Sequence, residues 1–117
     1  MTGDEPSSSA QLTMLRRGLA SPDPEVRASA LSRIRSSRPA DRPSDEGTHG
    51  AELEEVVTEA LGDPEPGVRA AAVRALARLG ARRSLRPLMR AAAEDPAPAV
   101  RREAVAALAR LATSPSA

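Results

Sequence analysis

The chain has 117 residues, a formal charge of +1, no cysteine and no aromatic residue. Those counts exclude disulfides, a thiol nucleophile and Cys-based zinc sites. They also argue against a nucleic-acid surface built on stacking aromatics and a basic surplus. What remains is one small domain with a core of Leu, Val, Ile, Met and Ala, for which thin layers and modest stability are expected.

The polar opening MTGDEPSSSA has neither the charged n-region nor the apolar h-region of a secretory signal. No apolar run nears the ~20 residues of a membrane span, so a soluble cytoplasmic protein is expected. Residues 1–8 read as a disordered tail. Ser9 is the expected cap of a first helix, with Leu12, Leu15 and Leu19 at helical spacing and Met14 beside them. Gly18 weakens that helix by roughly 1 kcal/mol relative to alanine. Pro22 stops it near Ala20. Asp23 then caps a second helix with Pro24 in its first turn, turning Val26, Ala30, Leu31 and Ile34 inward and fading at Ser36.

Residues 38–50, RPADRPSDEGTHG, read as an inserted exposed loop. Glu52 to Leu61 is the next helix, with Leu53, Val56, Val57, Ala60 and Leu61 on one side. Its partner runs from Pro66 to Leu79, with Val68, Ala72, Val73, Leu76 and Leu79 inward and Gly80 as its stop. A further helix from near Ser84 tolerates Pro87 in its first turn and buries Leu85, Leu88, Met89 and Ala92. The last runs from Pro98 to Ala112, using Val100, Ala104, Val105, Leu108 and Leu111. Residues 113–117 are expected to fray.

One phrase recurs in this series. PDPEVR at Pro22, PEPGVR at Pro64 and PAPAVR at Pro96 each open a helix, with Ala four residues and Ile or Leu eight residues beyond the valine. The copies lie 42 and 32 residues apart, and the extra ten residues fall in the loop at 38–50. Three repeats at about 9–37, 51–80 and 83–112 therefore make a single domain over 9–112, all-α, an α-solenoid of three stacked helical hairpins. No single hairpin can bury its own apolar faces, so the units must stack.

DPEPGVRAAAVRALARLG and DPAPAVRREAVAALARLA resemble the HEAT repeat, in particular the short variety also seen in phycobilisome lyase-like proteins. The resemblance spans residues 11–112 and is weakest in the first copy, where Ser21 stands for Asp63 and Asp95. It implies a right-handed superhelix with the leading helices convex and the following helices concave. It also implies a ladder in which Arg27, Arg69 and Arg101 hydrogen-bond the turn carboxylates Asp63 and Asp95.

Catalytic, metal-ligating and cofactor-binding residues are not expected. His49 is the single histidine and lies in the predicted loop. The carboxylate pairs Glu54–Glu55 and Glu94–Asp95 fall on faces expected to be solvated. Setting the ladder aside, Arg35, Arg74, Arg78, Arg102 and Arg110 form a mildly basic stripe along the following helices. Protein–protein interaction follows, a scaffold or adaptor whose concave groove holds an acidic or helical segment. The alternative is nucleic-acid backbone binding by the same arginines. Self-association through the exposed terminal repeats is a further expectation.

Overall fold

A computed structural model describes residues 8–35, 51–80 and 84–113 of the chain. Among them lie α1 (Ser8–Leu19), α2 (Pro24–Ser32), α3 (Ala51–Glu59), α4 (Pro66–Leu79), α5 (Leu85–Glu94) and α6 (Pro98–Thr113). A 3-10 turn, Ala60–Gly62, closes α3. The expected loop at 38–50 with His49 in it, residues 1–7 of the expected N-terminal tail and residues 114–117 of the expected C-terminal tail at 113–117 lie outside the described residues, while Ser8 and Thr113 are helical instead of frayed.

Each leading helix packs on the following helix of its own repeat, and α4 packs on both α2 and α6. The leading helices touch one another far less, so the stack opens toward their side. The following helices accordingly line the inside of the curve. The shortest dimension is 19 Å, about two helix diameters. A core this thin needs small side chains. Central α4 buries Val68, Ala71, Ala72, Val73, Ala75 and Leu76 between its two neighbours.

The turn chemistry sets where helices begin and end. Asp23 caps α2 by accepting from the Glu25 amide at 3.0 Å, with Pro24 in the first turn. Gly80 ends α4 in the left-handed region at φ 66°, where glycine carries no Cβ penalty. Ser9 is not a cap: α1 already begins at Ser8, and the Ser9 carbonyl accepts from Thr13 Oγ1.

Five residues expected inside are instead exposed: Met14, Val26, Leu85, Met89 and Val105. The pattern has one cause. Val68 and Val100 are 1 % exposed, whereas Val26 at the same motif position is 44 %. Five residues further on, Leu31 and Val73 are fully buried, whereas Val105 is 56 % exposed. The first position faces the preceding repeat and the second faces the following one. Each opens to solvent where that neighbour is missing, so helical period identifies the apolar face while stacking decides whether it is covered.

The second helix stops at Ser32, four residues sooner than expected. Two side chains from elsewhere then hold the Leu31–Arg35 backbone. Buried Gln11 donates Nε2 to the Arg35 carbonyl at 3.2 Å and accepts from the Arg35 amide at 2.9 Å. Arg78 of α4 donates Nε to Ile34 O and Nη2 to Leu31 O, both at 2.8 Å. A cation on the last carbonyls of a helix also suits its dipole.

Gly18 marks the closest approach of α1 and α2: a Cβ placed there would collide with the Ala30 Cβ. Gly18→Ala is expected to destabilise by about 1–3 kcal/mol despite its better helix propensity. Gly67, in the first turn of α4, has open space around it, and Gly67→Ala should stabilise by about 0.5–1 kcal/mol. Urea titration of both variants checks the pair. Opposite signs are the expected outcome.

Candidate functional site

The Pro-x-Pro-x-Val-Arg motif builds the layer boundaries. In the second and third repeats an aspartate opens the turn and accepts from the amide two residues on: Asp63 Oδ1 from Glu65, Asp95 Oδ1 from Ala97, each at 2.9 Å. The other carboxylate contacts come from the preceding repeat. Arg27 donates Nε to Asp63 Oδ2 at 2.8 Å and Nη2 to Oδ1 at 3.0 Å. Arg69 repeats this geometry on Asp95 at 2.8 and 3.0 Å. Two parallel N–H···O bonds from one planar fork fix orientation as well as charge.

Nη1 of each motif arginine turns back on its own loop. Arg27 reaches the Ser21 and Pro22 carbonyls, Arg69 those of Asp63 and Pro64, and Arg101 those of Asp95 and Pro96. One side chain therefore closes its own turn and clasps the next.

These bonds shift the carboxylates. At Asp63 the Arg27 hydrogen bond is the largest influence and outweighs desolvation, holding the carboxyl below its usual range. At Asp95 desolvation is the largest single influence and acts upward. The Arg69 bond, the Ala97 amide and the charges of Arg69 and Arg101 together exceed it, again lowering the value. Asp95 is thus buried and ion-paired, which corrects the expectation that the Glu94–Asp95 pair is solvated. Among the described residues no group of His, Asp or Glu could hold a metal ion.

Of the five arginines read as a partner-binding stripe, four come together. Burial first, then the charges of Arg74, Arg110 and Arg35, push the Arg78 guanidinium below its ordinary value. Like charges crowd here where the segment after α2 meets α4 and α6. Their duties differ, however. Arg78 is committed to the end of α2, while Arg74 pairs with Glu103 at 3.0 Å in an exposed contact worth about 0–1 kcal/mol. Arg102 is not among the charges acting on Arg78; it lines a shallow hollow on α6 with Ala99, Ala106 and Glu103, the partner of Arg74.

Sequence reasoning missed Gln11 and the capping role of Arg78. A polar residue at the place of Leu53 and Leu85 was the available signal for Gln11. No local signal existed for Arg78, because its acceptors lie 44 and 47 residues away.

A family model described as HEAT repeats matches residues 53–117, more than half of the chain. No curated protein and no solved structure matches it. No helix among the described residues is long and apolar enough to cross a membrane.

Proposed function

Since the chain belongs to the HEAT-repeat family, we propose that it is a non-enzymatic scaffold or adaptor holding an acidic or helical protein segment on the inside of its curve. HEAT repeats commonly mediate protein–protein interaction, and stacked repeats offer extended concave surfaces for it. One observation carries the reading. Beyond burial, which is the larger influence, the positive charges of Arg74, Arg110 and Arg35 act on the Arg78 guanidinium and lower its pKa. An acidic segment laid across them would relieve that repulsion. DPEPGVRAAAVRALARLG and DPAPAVRREAVAALARLA resemble the short, phycobilisome lyase-like variety of repeat, a likeness of fold that carries no activity with it.

Affinity capture from cells that express the protein, read by quantitative mass spectrometry, tests the assignment. Arg35→Glu/Arg110→Glu is the variant to compare, because it leaves the structural contacts of Arg78 in place. At least tenfold lower recovery of the proteins held by the native chain is expected. Unchanged recovery would overturn the assignment to this face. Nuclease-sensitive recovery would redirect it to nucleic acid, which low-salt anisotropy with DNA and RNA probes would then show directly.

A further inference from the structure

The two ends of the described stack differ in chemistry. At the C-terminal end Leu85, Met89 and Val105 are exposed, while their counterparts one repeat earlier, Leu53, Val57 and Val73, are buried under the third hairpin. The same end carries Arg101. Its Nη1 is anchored on the Asp95 carbonyl at 2.8 Å, as Nη1 of Arg69 is anchored on the Asp63 carbonyl at 2.9 Å. For Arg69, Nε and Nη2 then grip Asp95 of the following hairpin. For Arg101, no carboxylate among the described residues reaches them. An apolar patch and a fork already fixed in orientation therefore lie side by side, with the complement of each known from the preceding layer.

We propose that this end is a docking surface for a helical hairpin of another protein, one that presents a turn aspartate to Arg101 and apolar side chains to Met89 and Val105. Charge identifies the occupant, because the fork fits a carboxylate in bidentate fashion and its orientation is set before binding. A second copy of this chain lacks the matching group. At the aspartate position of the first repeat stands Ser21, whose Oγ keeps the turn by accepting from the Asp23 amide at 3.1 Å but brings no carboxylate. Head-to-tail copies would also make a heterologous contact that propagates into filaments. Ser21 withholds the group that such growth requires. This surface is separate from the arginine-lined inside of the curve, so the two proposals fail independently.

A probe can be made from the chain itself. Ser21→Asp/Arg101→Ala presents a turn aspartate at one end and has no fork at the other, so it can bind the native chain but cannot polymerise. Sedimentation velocity of the native chain alone should show a monomer, and an equimolar mixture with the probe should show a 1:1 complex. Arg101→Ala in the native partner should weaken that complex at least tenfold, as should Val105→Asp. No complex, or one indifferent to Arg101, overturns the proposal. Native self-association abolished by Arg101→Ala overturns it too, in favour of a second copy as the occupant. A tandem chain with residues 81–112 repeated once after Ala112 keeps the test independent of Ser21. Its melting temperature should rise by several degrees, and Arg101→Ala should remove most of the rise. No rise, or a rise that Arg101→Ala leaves intact, overturns the proposal.

Discussion

Asp95→Ala is expected to cost about 2–3 kcal/mol, a fall in melting temperature on the order of 10 °C or more for a domain of this size. The residue does two jobs. Its carboxylate accepts the Arg69 fork from the second repeat and the Ala97 amide that opens α6. Removal leaves a shielded guanidinium without its anion and the turn into α6 without its closing hydrogen bond. The stack is only two helices deep, so water partly compensates and the cost falls at or just below the bottom of the range of about 3–5 kcal/mol for a broken buried pair. Thermal melts by circular dichroism check the value. Asp95→Asn should recover the turn but not the charge, and should fall between alanine and the native chain.

The same bonds set the acid limit. Asp63 and Asp95 have folded-state values below those of an unfolded chain, so their ionised forms stabilise the fold. That stabilisation is fully present above the ordinary carboxylate range near ~3.9 and is lost as pH falls through the lowered folded values. Melting temperature should be flat with respect to these two groups near neutrality and drop at acid pH. In Asp63→Asn/Asp95→Asn the acid-side slope should be shallower. An unchanged slope would mean that other carboxylates set the limit.

Leu76→Ala is expected to remove about 3 kcal/mol, within the range for a fully buried leucine that leaves a cavity. Leu76 lies in α4, which is packed on both α2 and α6, so neither side is free to collapse into the void. Leu108 occupies the same place one repeat later but is only partly buried, since among the described residues no helix covers α6 from beyond. Leu108→Ala should cost less than half as much. Of a total stability of roughly 5–15 kcal/mol, the first loss is a large fraction. Urea denaturation of both variants measures the ratio. Equal losses would mean that the third repeat is covered in solution, as in a self-associated form.

Much of this architecture is legible in the one-dimensional text. Asp23 and Pro24, Pro66, Pro98 and Gly80 mark helix ends because their effects act within a few residues of backbone. Burial was legible only in part. Val26, Val68 and Val100 share a motif position, yet only two are buried, because burial belongs to the pair of layers and not to the residue. The arginines divided in the same way. All five of the stripe read alike along the chain, but Arg78 had acceptors waiting at Leu31 and Ile34, and the charges acting on it include Arg35, Arg74 and Arg110 but not Arg102.

The sequence by itself therefore determined the repeat, the helices, the faces they turn inward and the family they belong to. Those follow from periodicity and turn chemistry, both local. Tertiary structure alone decided which copies of an equivalent residue are covered, which arginine clasps a carboxylate and which is left with an open fork. Those outcomes depend on the neighbour across a layer boundary, and among the described residues the end layers have a neighbour on one side only.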